Sequence, residues 1–137
     1  MILVDATPLV ALCDPRDRLH RRALADLDRV GRRGLALPEP VLTEACFLLD
    51  HAILRARLER VIVELSIVPW CPVDAGAFRL EAFAWLRRYA EHAPDWADAT
   101  LAVASAHETK ARVWTYDAEF RTTWRRPGGA RIPLVRR

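Results

Sequence analysis

Met1-Ile2-Leu3-Val4 is an unbroken apolar run that stops at Asp5, and short apolar runs return at Leu35-Ala36-Leu37 and Val113-Trp114-Thr115. Runs this short, closed by acids or prolines, are the pattern of strands buried on both faces of a parallel sheet. The stretches between them have helical spacing. From His20 to about Val30, Ala23, Leu24, Leu27 and Val30 share one face, while Arg21, Arg22, Asp26 and Arg29 fall largely off it. Gly31 and Gly34 bracket the end of that helix. Pro38-Glu39-Pro40 interrupts the second apolar run before a helix expected from about Val41 to Ile53, and Leu58, Val61, Ile62 and Leu65 continue at helical spacing. Phe78, Ala82, Trp85, Leu86 and Tyr89 mark another helix, and Asp95 opens a strongly apolar one that reaches about Ala106. Ile67 to Val73 reads as a strand whose Pro69 and Pro72 assign it to a sheet edge, and Ile132 to Val135 as a last short strand.

Strands alternating with helices predict an α/β fold, a central, mostly parallel sheet with helices on both faces and right-handed crossovers. With 137 residues, 52% of them hydrophobic, the chain can bury one sizeable core, so a single domain over residues 1–137 is expected. Asp5 follows the opening apolar residues at once, and no apolar stretch approaches membrane-spanning length. A soluble, cytoplasmic protein is therefore expected. Cys13, Cys46 and Cys71 lack the spacing of zinc or redox motifs and read as small core residues in a reducing compartment. The net charge of +3 leans toward a polyanionic partner. Lys110 is the only lysine, however, and an arginine-, alanine- and proline-rich chain also follows from a biased genome composition.

Topology then brings acids together. In a doubly wound sheet the binding crevice lies beyond the carboxyl ends of the strands. Asp5 ends the first strand and Asp117 lies just past the end of the Val113 strand. Glu44 is expected in the first turn of the helix after the second strand, and Asp98 in the first turn of the helix that runs back before the Val113 strand. All four carboxylates therefore belong to one edge. The segments around Glu44 and Asp98 are apolar, so a solvated position is not readily available to either. At about 5 Å and an effective dielectric near 20, each like-charged pair repels by roughly 3 kcal/mol. A domain is stable by only about 5 to 15 kcal/mol, so cations or raised pKa values must relieve several such pairs. Hard divalent ions that prefer oxygen ligands, Mg²⁺ or Mn²⁺, suit a site with no histidine or cysteine beside it. Taken singly, Asp5 and Asp117 also read as turn residues, and Asp95 with Asp98 as a helix cap and its first-turn partner. His20, His51, His92 and His107 form no nucleophile and base arrangement, and there is no glycine-rich phosphate loop.

The segments Ile2-Leu3-Val4-Asp5-Ala6-Thr7-Pro8, Val41-Leu42-Thr43-Glu44-Ala45, Asp98-Ala99-Thr100-Leu101-Ala102 and Thr115-Tyr116-Asp117-Ala118-Glu119-Phe120 resemble, in order and spacing, the successive motifs of PIN-domain ribonucleases. The resemblance is greatest to the VapC-type toxins of toxin-antitoxin pairs, and it covers Met1 to about Phe120. It implies a metal-dependent RNA endonuclease in which Asp5, Glu44, Asp98 and Asp117 are catalytic and bind Mg²⁺ or Mn²⁺. Thr7 and Thr115 would support a neighbouring acid or water, and Asp95 would be an extra ligand or a supporting group. Hydrolysis would leave 5′-phosphate and 3′-hydroxyl ends. The resemblance further implies a cognate antitoxin and a homodimer. A housekeeping nuclease for RNA processing or DNA flaps, and a catalytically silent RNA-binding module, are the competing readings. A basic rim is expected from Arg16, Arg18, Arg121, Arg125 and Arg126, and Trp96 or Trp124 is available to stack on a base.

Overall fold

A computed structural model of the chain describes residues 1–136. Four strands, β1 (Ile2–Val4), β2 (Leu35–Pro38), β3 (Val68–Trp70) and β4 (Arg112–Trp114), form one sheet in the order β3-β2-β1-β4. Every pairing within it is parallel, with Leu3 opposite Ala36 on one side and Val113 on the other. The helices are α1 (Ala6–Cys13), α2 (His20–Val30), α3 (Glu39–Leu48), α4 (Ala52–Glu64), α5 (Ala75–Arg88), α6 (Trp96–His107) and α7 (Glu119–Thr122). They flank the sheet in the α/β arrangement expected. β3 lies at the edge, where Pro69 removes no hydrogen bond the sheet needs.

The strand order sets the position of the crevice. From β1 the chain builds outward to β2 and β3, then returns to the opposite side of β1 with β4. This reversal between β1 and β4 is the topological switch point, where the loops leaving the two carboxyl ends diverge and open a cleft. β1 and β2 are buried throughout, and Leu101, Val103, Trp114 and Phe120 are among the largest fully enclosed side chains. α6 is buried around nearly its whole circumference, which its run of alanines permits by letting neighbouring elements approach closely.

Four local differences from the sequence expectations have physical causes. Residues 6–13 form α1, with Pro8 in its first turn, where the missing N–H has no intrahelical partner to lose. α3 starts at Glu39 rather than Val41 because Pro40 is accepted in a first turn, so Glu44 lies in the second turn. That helix ends at Leu48, and His51 caps a separate α4 by accepting from the Ile53 N–H. Residues 132–135 form an isolated parallel bridge between Leu134 and Val113 rather than a full strand. The cysteines also diverge: Cys13 is buried, Cys46 is partly buried, and Cys71, just past the edge strand, is exposed.

Candidate acidic site at the strand switch point

Asp5 occupies the switch point directly. Its extended backbone caps α1, its Oδ1 accepts from the Ala6 N–H at 2.8 Å, and its own N–H donates to the Trp114 carbonyl at 3.0 Å. The Thr115 hydroxyl donates to Asp5 Oδ2 at 2.6 Å, and the Thr7 hydroxyl stands 3.4 Å from the same oxygen. Thr115 Oγ1 also accepts from the Asp117 N–H at 3.0 Å, and Thr7 Oγ1 accepts from the Tyr116 N–H at 2.9 Å. Two threonines thus stitch the end of β1 to the loop after β4. Asp117 Oδ1 accepts from the Glu119 N–H at 3.0 Å, which turns that loop into α7.

The other wall comes from α3 and α6. Asp95 caps α6 by accepting from the Asp98 N–H at 2.8 Å, and Asp98 Oδ2 accepts from the Asp95 N–H at 3.0 Å. This reciprocal capping box satisfies two helix-terminal donors. Glu44 and Asp95 line one open cleft of about 540 Å³ with Phe47 and Trp96.

Electrostatics show that the groups converge. Burial raises Asp5 from its ordinary 3.8 to about 6 against the opposing Thr115 and Ala6 hydrogen bonds, with Asp117 and Asp95 adding repulsion. Burial raises Glu44 to about 7, with repulsion from Asp95, Asp5 and Asp117. Asp98 rises to about 8, first through burial, with Asp95 and Asp5 as the repelling charges. Five carboxylates therefore share one field, the four expected and Asp95. Among the described residues none of the five is in an ion pair. Also among the described residues, no three histidine, cysteine or acidic side chains stand close enough to clasp an ion as they are. The donor set is nonetheless all carboxylate and hydroxyl oxygen and includes a buried acid held by directed hydrogen bonds. That chemistry fits a hard divalent ion.

The expected apolar enclosure of Glu44 is only partial, because Phe47 and Leu48 of the same helix are exposed. Of the expected basic rim, Arg121 lines a cleft beside Thr115 and Asp117. Arg16 turns to Asp14, Arg18 is exposed, Arg125 folds onto the Trp124 carbonyl at 3.0 Å, and Arg126 reaches Ser105 Oγ at 3.3 Å. Trp124 is buried against Trp85 and Tyr89 and has no face left for a base. Trp96 is partly exposed and packs on Phe83.

One cluster was not anticipated from sequence. Tyr116 Oη donates to Asp26 Oδ2 at 2.7 Å and accepts from Trp114 Nε1 at 3.2 Å, while the Arg22 guanidinium lies 4.5 Å from the Tyr116 ring centre. Burial and Asp26 push the Tyr116 phenol well above its ordinary range. Helical spacing puts Asp26 among exposed charges, but only the fold brings Tyr116 across to cover it, leaving Asp26 buried.

In the structural comparison, the fold is similar to the crystal structure of Mycobacterium tuberculosis VapC20 (Rv2549c), described as a sarcin-ricin loop cleaving toxin. The match has a TM-score of 0.70 and 24% sequence identity, and covers 88% of this chain and 93% of that one. No match was found among curated proteins. The family model of the PIN domain matches residues 2–124, which takes in every acid of the switch-point cluster. The chain belongs to the PIN domain family.

Proposed function

We propose that this chain is a divalent-metal-dependent RNA endonuclease, the toxin of a toxin-antitoxin pair, working as one nuclease domain over residues 1–137 in the cytoplasm. The observation that carries the reading is the convergence of Asp5, Glu44, Asp95, Asp98 and Asp117 at the switch point, with three of them raised above their ordinary values and no ion pair among the described residues. Membership of the PIN family and likeness in fold to a sarcin-ricin loop cleaving toxin support the substrate class.

Asp5, Glu44, Asp98 and Asp117 would hold Mg²⁺ or Mn²⁺. A bound divalent ion supplies water activation and charge neutralisation on a phosphodiester. The protein's part is to position the donors. Thr115 and Ala6 fix one oxygen each of Asp5. Thr115 also holds the Asp117 backbone, so the Asp5 and Asp117 positions are coupled through one hydroxyl. Asp95 supports Asp98 through the capping box and adds negative charge. Glu44, on a partly exposed side chain of α3, would complete the set.

Exposed Phe47, Leu48, Ile53 and Phe83 support a protein partner on the α3 to α5 side, the antitoxin or a second copy in a homodimer. The apolar cleft shared by Phe47 and Trp96 opens on Glu44, so a partner seated there reaches the acids.

The test is incubation of the purified protein with total cellular RNA and Mg²⁺ or Mn²⁺, with product ends mapped. The reading expects internal cuts with 5′-phosphate ends that disappear on chelation. Intact RNA under every metal condition would refute it.

A further inference from the structure

Beside the acidic cluster, Arg22, Arg121 and Arg136 line a cleft of about 290 Å³ that also contains Thr115 and Asp117. A second cleft, of about 350 Å³, is lined by Arg29, Arg33, Arg112 and Arg136. The two share Val135 and Arg136, so they are consecutive parts of one groove. Its far end lies by Arg112, the first residue of β4, and its near end by Asp117, beyond the last. The groove therefore runs beside β4, from the acids past its carboxyl end toward its amino end. Resting on the ribonuclease reading above, we propose that this arginine groove is the track for the RNA backbone leaving the acidic site.

Three observations favour a phosphodiester chain as occupant. First, six arginines line the groove, and among the described residues Asp117, at the acidic end, is the only carboxylate lining it. Second, among the described residues only Arg22 and Arg29 of the six are in ion pairs, and both share Asp26. Asp26 is itself engaged by the Tyr116 hydroxyl, so it neutralises only part of the groove. Third, Arg22 and Arg29 are seven residues apart on α2, which places them on one face about 10 Å apart along the helix. A row of spaced guanidinium groups matches the repeated phosphates of a strand, and each can fork onto phosphate oxygens. Of the six, Arg112 also donates to the Leu134 carbonyl at 3.1 Å, so Arg33 and Arg121 are the positions on which the track is best tested. Of the expected basic rim, Arg16, Arg125 and Arg126 line neither cleft.

The test is binding of a fluorescein-labelled, mixed-sequence 30-nucleotide single-stranded RNA to the full chain, followed by anisotropy across a salt series in chelator, with RNA integrity checked on gels. Arg33→Glu and Arg121→Glu, both at exposed positions, should each raise Kd by about tenfold or more at low salt. Each should also make the slope of log K against log salt shallower by roughly 0.7 for every phosphate left without its arginine. Arg60→Glu on α4 makes the same charge change outside both clefts and should leave Kd within about twofold. Circular dichroism identifies any variant that fails to fold; Arg33→Ala and Arg121→Ala then carry the test with smaller shifts in the same direction. Equal losses for Arg60→Glu and Arg33→Glu, or unchanged binding by both groove variants, would overturn the groove assignment. Tighter binding of a 30-base-pair DNA duplex than of the RNA would also overturn it, assigning the groove to DNA. RNA cleavage by the wild type is scored separately: cleavage with unaltered groove variants refutes the track alone, whereas groove-dependent binding without cleavage refutes the nuclease reading.

Discussion

The Thr115 hydroxyl donates to Oδ2 of the buried Asp5 at 2.6 Å and joins the ends of two adjacent parallel strands across 110 positions of sequence. The same hydroxyl accepts from the Asp117 N–H, so one side chain sets two acids relative to each other. Thr115→Val keeps the shape and removes both bonds. A hydrogen bond to a charged group contributes about 2 kcal/mol. We predict a loss of that order in urea denaturation and a fall in RNA cleavage of about 10- to 100-fold, with Thr115→Ser restoring most of both.

Metal-free stability should fall as pH rises. Asp5, Glu44 and Asp98 have folded values of about 6, 7 and 8, above their ordinary 3.8, 4.5 and 3.8. Between those limits the folded state binds more protons than the unfolded chain. The stability contributed by these groups is complete below about pH 4 and is lost as pH rises through the folded values. Asp5, nearly inaccessible to solvent, accounts for about 3 kcal/mol of the loss by neutral pH. Urea midpoints in chelator should decline from about pH 5 to pH 8.5, and Asp5→Asn should flatten that decline. A rising or level profile in the wild type would count against the shared field.

Cation binding should release protons. At neutral pH, Asp98 and part of Glu44 are protonated in the metal-free protein, and a cation must displace those protons. Calorimetric Mn²⁺ titrations in buffers of different ionisation enthalpy should report roughly one to two protons per site. Apparent affinity should climb with pH and level off above about 8. Proton-neutral binding would place the ion elsewhere.

Asp95 has a dual position, as helix cap and as a source of repulsion for Glu44 and Asp98. Asparagine caps as well as aspartate, whereas alanine costs about 1 kcal/mol. Asp95→Asn keeps the cap and removes the repulsion, so without metal it should be at least as stable as the wild type, and Asp95→Ala should be about 1 kcal/mol less stable than Asp95→Asn. As a supporting group, Asp95→Asn should retain RNA cleavage within about tenfold. A drop as deep as that of Asp5→Asn would make Asp95 a metal ligand instead.

Much of this arrangement is legible from residue order. The apolar runs ending at Asp5 and before Asp117 are strand signals, and parallel connection then forces their carboxyl ends to one edge. The Asp95 and Asp98 spacing is a capping-box signal that the helix realises. Boundaries governed by proline were less legible: Pro8 and Pro40 look like breaks but are tolerated within first turns, which hid α1 and moved Glu44 one turn inward. Side chains that depend on distant partners were not legible at all. Asp26 and Tyr116 are 90 positions apart, and nothing near either predicts their bond. The basic groove was hidden for the same reason, since its arginines come from α2, β4 and the segments near Arg33, Arg121 and Arg136.

The clustered acids should act as one metal centre that cleaves RNA. Its most direct test measures the single-turnover cleavage rate of total RNA against Mn²⁺ concentration for the wild type and for Asp5→Asn, Glu44→Gln, Asp98→Asn and Asp117→Asn. Metal-dependent cleavage at these acids requires a wild-type rate that half-saturates where calorimetric Mn²⁺ binding does, no cleavage in chelator, and losses of about 100-fold or more in each variant. Cleavage that persists in chelator, or at the wild-type rate in Asp5→Asn, would contradict it.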